Sequence, residues 1–268
     1  MPTLNKGRFI INIKMLVFDL DGTLLRSDKT ISAFTLEVLA KCRENGLKIV
    51  IATARSRLGA MVAQAVPADA LIYDGGAAAV AGGQRLYNKV ISAAAVDEIF
   101  KQMLQKIPNN FITAESEYEY FTNRPPDEDA YGQFLASHGQ NLVFTKFKES
   151  LRCELNKITV QMDVGLAKEI AEGIPEVDVL AYTGEPWVRI AHRDATKFKG
   201  IEAVAAHFGI NVDEVAAFGD DYNDVEMLEK CGIGVAMANA IGEAKAAANF
   251  VCGGNDEDGV ANWLASRL

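Results

Sequence analysis

The sequence Asp-Leu-Asp-Gly-Thr at residues 19–23, directly after the apolar run 15–18, constrains the fold and chemistry of this chain most. Residues two apart on a strand share a face, so Asp19 and Asp21 are expected to project together from the strand's carboxyl end. Gly22 permits a sharp turn that brings backbone N–H groups close to an anion, and Thr23 adds a hydroxyl. The pattern predicts a phosphoryl site, in which one carboxylate attacks phosphorus while the other protonates the leaving oxygen and later activates water. The alternative is an ordinary strand end, since Asp and Gly are common turn residues.

A second apolar strand, 49–52, ends at Thr53, and the cation of Arg55 follows. The segment between the two strands predicts a helix over 32–45, with Ser32 as its N-cap and Gly46 as its stop. Strands joined by a helix are expected to be parallel, so Thr53 emerges at the same sheet edge as Asp19. Its hydroxyl is a candidate ligand for a phosphate oxygen, or alternatively the cap of the following helix.

A third strand, 215–219, ends in Asp220-Asp221-Tyr222-Asn223-Asp224. Carboxylates gathered at one edge repel one another, and an anionic substrate increases that repulsion, so a hard divalent cation is expected there. Mg²⁺ suits oxygen ligands of this kind, whereas the spacing does not match a calcium-binding EF-hand loop. The alternative is an acidic helix start that is favoured by the helix dipole.

The segment Lys197-Phe198-Lys199-Gly200 precedes a predicted helix over 201–208. A lysine here can neutralise a phosphate and keep a carboxylate nucleophile ionised. The alternative is a solvated surface lysine, which is the commoner situation for this residue.

Taken together, these segments resemble the four motifs of the haloacid dehalogenase (HAD) superfamily of phosphohydrolases. Residues 19–23 match the first motif, Ala52-Thr53-Ala54-Arg55 the second, Lys199-Gly200 the third and residues 219–224 the fourth. The gap of more than a hundred residues between Thr53 and Lys199 resembles the large cap of the Cof-type branch, which mostly hydrolyses small phosphate esters.

The resemblance implies a role for each matching residue. Asp19 is then the nucleophile, Asp21 the general acid and base, and Lys199 the charge partner, with Lys197 as its rival. Thr53 and Lys199 would contact the phosphate together with Gly22 and Arg55. The implied metal ligands and residues that orient them are Asp19, Asp21 (through its backbone carbonyl), Asp220, Asn223 and Asp224. The chain departs from the branch at Gly75, where an Asn is usual, and Asp74 is its expected partial substitute.

The alternation of strands and helices predicts an α/β fold: a doubly wound, Rossmann-like parallel-sheet core with an inserted α+β cap domain. We expect the core to comprise residues 1–82 and 186–268 and the cap to comprise residues 83–185. The cap is expected to close over the core, exclude water and select the leaving group. Its candidate specificity residues are Tyr118, Tyr120, Arg124 and Trp187, although aromatic residues on strands are more often part of a core.

Composition limits the classes of function. With 268 residues and a net charge of −9, a nucleic acid partner is not expected, because binding to phosphate backbones requires a basic face. No apolar run is long enough to span a bilayer, residues 8–11 are too short for a signal peptide core, and a cytoplasmic location is expected. The four cysteines lack paired spacing, which argues against zinc. Residues 1–14 are either an extension or the product of a start before Met15.

The sequence therefore predicts a Mg²⁺-dependent phosphatase of small phosphorylated metabolites, such as sugar phosphates or phosphorylated cofactors, acting through an aspartyl-phosphate. Two alternatives remain at this point: a phosphotransferase or phosphomutase that uses the same Asp19, and a non-catalytic phosphometabolite-binding protein. The motifs specify neither the substrate nor the oligomeric state.

Overall fold

Parallel strands that are apolar on both faces lie at the centre of the larger of two sheets. The structure is a computed structural model that describes residues 12–125, 127–183 and 186–267. The described chain divides into two units. The first comprises the residues up to Ala54, Ala60–Tyr87 and those from Thr196 onward. The second comprises Arg55–Gly59 and Asn88–Ala195.

The first unit contains an eight-stranded sheet and five α-helices among its described residues. Its strands are β1 (Met15–Phe18), β2 (Lys48–Ala52), β3 (Ala70–Tyr73), β4 (Ala78–Ala81), β5 (Gln84–Asn88), β12 (Val215–Gly219), β13 (Ile233–Ala236) and β14 (Phe250–Val251). Its helices are α1 (Ala33–Glu44), α5 (Lys197–Phe208), α6 (Val225–Lys230), α7 (Gly242–Ala247) and α8 (Gly259–Ala265). The strand order is β14-β13-β12-β1-β2-β3-β4-β5. The strands from β14 to β3 pair in parallel, and β4 pairs antiparallel to β3.

Two hydrophobic clusters cover the two faces of this sheet. Alternate residues of β1, such as Leu16 and Phe18, pack into a cluster with residues of α1 and α8. The intervening residues Met15 and Val17 pack into the other cluster with residues of α5. Helices on both faces of a mostly parallel sheet define the doubly wound architecture, so the predicted fold class is confirmed.

Helix α1 shows how closely local signals set the boundaries of the elements. The Ser32 hydroxyl accepts a hydrogen bond from the Thr35 backbone N–H, and the helix ends before Gly46, which has a φ of +86°. The predicted N-cap and stop are therefore confirmed.

The second unit contains a six-stranded sheet and three helices among its described residues. Its elements are α2 (Ala93–Lys106), β6 (Ile112–Glu115), β7 (Glu119–Thr122), α3 (Ala130–Ser137), β8 (Asn141–Phe144), β9 (Lys157–Gln161), α4 (Val164–Ala171), β10 (Val177–Ala181) and β11 (Trp187–His192). The strand order is β10-β11-β9-β6-β7-β8, antiparallel except for the parallel pair β7 and β8. One face packs with α2 and α4 in a separate hydrophobic core. The mixed α+β composition predicted for the inserted segment is observed.

The limits of the insertion differ from the expected 83 and 185. Strand β5 joins the edge of the eight-stranded sheet, so residues 84–87 belong to the first unit. Strand β11 pairs with β9 and β10, so the described residues from 186 to Ala195 belong to the second unit. The short segment Arg55–Gly59 also belongs to the second unit. These limits depend on which strands pair, and the local composition of the sequence does not predict strand pairing directly.

Three sequence-based expectations fall partly or wholly outside the described residues. These are the apolar run at residues 8–11, most of the extension over residues 1–14, and the cap limit at residue 185. No helix within the described ranges is long and apolar enough to cross a membrane.

Candidate active site

The carboxyl ends of three adjacent parallel strands bring the predicted site residues to one edge of the sheet. Phe18 pairs with Ile51 on one side and with Phe218 on the other, so the residues after β1, β2 and β12 emerge together. The backbone N–H of Asp19 donates to the carbonyl of Phe218 at 3.0 Å, which continues this register by one residue. Asp19, Thr53 and Asp220 therefore follow neighbouring strand ends, as the sequence predicted.

A buried lysine links the first and last acidic segments. The Nζ of Lys197 lies 2.5 Å from Oδ1 of Asp19 and 2.6 Å from Oδ1 of Asp224. The Lys197 side chain is completely buried, as is that of Asp224, and Asp19 is 8% exposed. Charge-assisted hydrogen bonds of this length fix all three side chains relative to one another.

Lys197, not Lys199, is therefore the lysine that contacts the expected nucleophile. Lys199 is half-exposed, and its Nζ pairs with Glu202 at 2.8 Å. Helix α5 begins after the N-cap Thr196, and residues two apart on a helix point in different directions. Lys197 lies four residues before the buried Ile201 and thus shares its face, whereas Lys199 does not. The helical spacing between Lys197 and Ile201 can be read from the sequence. The prediction nevertheless favoured Lys199, because Lys199-Gly200 matches the family motif.

Asp220 completes the acidic group beside the first loop. Its Oδ1 accepts a hydrogen bond from the Thr23 hydroxyl at 2.9 Å. Gly22 has a φ of +81°, and a β-carbon there would overlap the Asp220 carboxylate. The glycine is required both by its left-handed backbone and by the close approach of this side chain.

The turn that contains Asp224 is organised around its carboxylate. Oδ2 of Asp224 accepts the backbone N–H groups of Asp220 at 3.0 Å and of Asp221 at 3.1 Å. Since Oδ1 bonds Lys197, both carboxylate oxygens are engaged by protein groups. Asp224 is thus suited to orient its neighbours. Asn223, on the same turn, is partly exposed, and its predicted metal-binding role stays a prediction.

The acids of this site are electrostatically crowded. Burial, together with the charges of Asp224 and Asp220, raises the pKa of Asp19 well above its ordinary value against the opposing effect of Lys197. Burial and the charge of Asp224 likewise raise the pKa of Asp220 to about 7. Burial acts to lower the pKa of Lys197, but the negative charges of Asp19 and Asp224 outweigh this effect, so the pKa of the lysine is raised. The single ammonium does not balance the carboxylates around it.

This imbalance fits a divalent cation. Asp19, Asp220 and Asp224 each offer one oxygen, and these oxygens lie within 4.8 Å of one another. When all three carboxylates are ionised, the group with its one ammonium has a net charge of −2, which an ion such as Mg²⁺, with its preference for oxygen ligands, would neutralise. The engagement of Asp224 leaves Asp19 and Asp220 as the side chains best suited to hold it.

The remaining predicted residues occupy different positions. The Asp21 side chain is 39% exposed and bonds the Nζ of Lys29 at 2.8 Å, and it is not a member of the acidic group that could hold an ion. Thr53 is buried at the end of β2. Arg55 belongs to the second unit, so its contact with phosphate stays a prediction. Of the predicted specificity residues, Tyr118 is 73% exposed and Tyr120 is buried, whereas Arg124 lies over the rings of Phe111 and Trp187.

The segment after β3 supports both Thr53 and Lys197. Gly75, where the resemblance implied an Asn, donates its backbone N–H to the carbonyl of Thr53 at 2.9 Å. Gly76 has a φ of +98° and lies directly against the Thr196 carbonyl and the Lys197 backbone nitrogen. Sequence reasoning identified the missing Asn but not this contact, because it joins residues that are far apart in the chain.

Substitution of Gly76 by Ala tests that support. A β-carbon would overlap the backbone at Thr196, so Gly76→Ala is expected to destabilise the protein by about 2–4 kcal/mol through backbone strain and overpacking. Gly46→Ala is the matched control, since its φ of +86° is similar but nothing lies within 4 Å of the added carbon. Urea unfolding measures both variants, and equal destabilisation would contradict the close packing at Gly76.

Comparisons with known proteins agree with this geometry. The model of the family described as haloacid dehalogenase-like hydrolase matches residues 16–264, which is most of the chain. This chain belongs to the haloacid dehalogenase-like hydrolases. The matched range includes all four segments that carry the resemblance, and the Cof-type assignment is confirmed.

Several relatives of this hydrolase are named as phosphatases. The 5-amino-6-(5-phospho-D-ribitylamino)uracil phosphatase YitU of Bacillus subtilis is 29% identical over 268 residues, covering 93% of this chain and 96% of YitU. The pyridoxal phosphate phosphatase YbhA of Escherichia coli is 27% identical over 279 residues, covering 95% and 98%. The solved structure of the HAD subclass IIB sugar phosphatase BT4131 superposes with a TM-score of 0.82 at 28% identity, covering 94% of this chain and 98% of that one. The hydrolase described here is a phosphatase of the same superfamily.

Proposed function

We propose that this phosphatase hydrolyses monophosphate esters of small metabolites, such as sugar phosphates or phosphorylated cofactors, in a Mg²⁺-dependent reaction through an aspartyl-phosphate at Asp19. The observation that carries the proposal is the buried Asp19–Lys197–Asp224 arrangement beside Asp220 at the carboxyl edge of a parallel sheet. Ligands bind beyond this edge in open α/β sheets. The related phosphatases act on phosphorylated compounds of small size, as their names state.

In the first step, an Asp19 carboxylate oxygen forms a bond to phosphorus while the bond from phosphorus to the ester oxygen breaks. Asp21 gives a proton to the departing oxygen, so the alcohol leaves neutral. Lys197 holds the Asp19 carboxylate in place and offsets part of the added negative charge. In the second step, Asp21 takes a proton from water as the water oxygen attacks phosphorus, which releases orthophosphate and regenerates Asp19. A bound Mg²⁺ supplies charge neutralisation for the phosphoryl oxygens.

A panel of phosphorylated metabolites tests the proposed function directly. Orthophosphate release from one or more sugar phosphates or cofactor phosphates is the expected result. Transfer of the phosphoryl group to a second alcohol without orthophosphate release would instead identify a phosphotransferase. Binding of the panel compounds without turnover would contradict catalysis.

Removal of divalent ions is expected to lower turnover by at least about 100-fold, because the phosphoryl charge then faces uncompensated carboxylates. Added Mg²⁺ is expected to restore turnover and to raise the melting temperature, since a ligand that binds only the folded state stabilises it. The measurements are orthophosphate release and thermal unfolding after exhaustive chelation, with Asp220→Asn as the variant in which the thermal shift is lost. Undiminished turnover of the chelated protein would refute the metal requirement.

A further inference from the structure

A lysine outside the four motifs contacts the expected general acid. Lys29 lies eight residues after Asp21, and its Nζ is 2.8 Å from Oδ1 of Asp21. The Lys29 side chain is 55% exposed and that of Asp21 is 39% exposed. An exposed ion pair of this kind adds little to stability.

The backbone at Lys29 adopts an unfavourable conformation. Its φ is +65°, in the left-handed region that residues with a β-carbon rarely occupy. The turn is closed by hydrogen bonds from the Arg26 N–H to the Thr30 carbonyl and from the Lys29 N–H to the Arg26 carbonyl, both at 2.9 Å. The Asp28 carboxylate also accepts from the Thr30 backbone and hydroxyl. The turn therefore holds Lys29 in a strained conformation that directs it toward Asp21.

The same turn is anchored to the C-terminal part of the first unit. Arg26 donates to both carboxylate oxygens of Asp258 at 2.9 and 3.0 Å. The Ser27 backbone and hydroxyl donate to Asp256 at 2.8 and 2.7 Å. These contacts limit movement of the turn, so Lys29 is presented from a fixed position.

The structure assigns to Lys29 the role of a positioning residue that holds the Asp21 carboxyl group outside the acidic cluster, oriented for proton transfer to the leaving oxygen. This inference rests on the proposed function. Asp21 is not a member of the group formed by Asp19, Asp220 and Asp224, although it lies in the same loop as Asp19. Because Oδ1 accepts a hydrogen bond from Lys29, rotation of the carboxyl group is restricted, and the proton that Asp21 gives to the ester oxygen is carried by Oδ2 in a fixed orientation.

Two esters of nearly the same shape separate this role from binding of the phosphate. p-Nitrophenolate departs readily without a proton, whereas phenolate gains more from proton donation. For Lys29→Met, we expect kcat/KM for phenyl phosphate to fall about tenfold and that for p-nitrophenyl phosphate to fall less than about twofold. The value of kcat/KM depends only on the steps up to departure of the leaving group, so it reports the role of Asp21 as the general acid. Methionine keeps the length of the side chain and removes its charge.

Two comparisons make the result decisive. Lys41→Met removes a similar exposed lysine, 57% exposed and 2.8 Å from Glu37, and is expected to change neither value. In a double-mutant cycle, Lys29→Met is expected to have less than about a twofold further effect in the Asp21→Asn background, because its partner is already altered. Equal losses on the two esters, no loss on either, or a full loss in the Asp21→Asn background would overturn the role of Lys29. A wild-type protein that hydrolyses neither ester nor any panel compound would overturn the proposed function, and this inference with it.

Discussion

Replacement of Asp19 by Asn is expected to reduce orthophosphate release by at least about 10³-fold while the protein stays folded. The amide of Asn has no carboxylate oxygen to attack phosphorus, so the aspartyl-phosphate does not form. The fold is expected to tolerate the change, because Asp19 lies in a cluster that holds more negative charge than Lys197 balances. Removal of one carboxylate relieves that repulsion. Orthophosphate assays with a substrate from the panel and thermal unfolding without divalent ions measure the two effects.

Asp69→Asn is the matched control for this variant. Asp69 is also largely buried and pairs with cations, at 3.4 Å from Lys48 and 3.6 Å from Arg43, but it precedes β3 and lies at the amino ends of the strands. Its replacement is expected to leave turnover within about twofold, since ligands bind beyond the carboxyl ends. Full activity of Asp19→Asn would refute the assignment of the nucleophile. Equal loss in both variants would indicate a general effect of removing buried carboxylates.

Replacement of Lys197 by Met is expected to lower kcat by about 10²–10³-fold, because it removes the buried cation that, in the proposed reaction, offsets the charge of the phosphoryl group. The change also leaves Asp19 and Asp224 without their shared partner, so the free energy of unfolding is expected to fall by about 3–5 kcal/mol, the usual cost of an uncompensated buried charge. Steady-state kinetics at a temperature where the variant is folded, together with urea unfolding, separate the two effects.

Lys199→Met provides the contrast within the same helix turn. Lys199 is half-exposed and pairs with Glu202, so its replacement is expected to change kcat by less than about twofold. A large loss of kcat in Lys199→Met with little loss in Lys197→Met would contradict our assignment. It would identify Lys199, which the motif match favoured, as the charge partner of Asp19.

Local patterns in the sequence were sufficient to predict the core fold. The apolar strand before Asp19, the helix capped by Ser32 and the acidic turn after β12 each depend on contacts within a few residues. Parallel pairing then follows because short apolar strands joined by helices have few other ways to bury both faces. The same logic places the carboxyl ends of these strands at one edge, where the acidic residues are found.

Features that depend on distant contacts were less predictable. The sequence alone favoured Lys199 because its Lys-Gly pair matches the family motif, although the position of the buried Ile201 indicates that Lys197 faces the sheet. The limits of the inserted unit depend on which sheet β5 and β11 join. The contact between Lys29 and Asp21 depends on a left-handed turn for which the sequence has no glycine as a signal.

The pairing of β1 with β12 has a consequence for how a nascent chain acquires activity. Met15 pairs with Val215, and the bond between Lys197 and Asp19 spans 178 positions of sequence. Contacts of such high sequence separation form late, because a long loop must close before they are gained. On the ribosome, Asp19 is thus synthesised early, and most of the polypeptide must be translated before Lys197 is available to pair with it. The intervening Asn88–Ala195 unit, whose sheet is complete within itself, can organise during that delay.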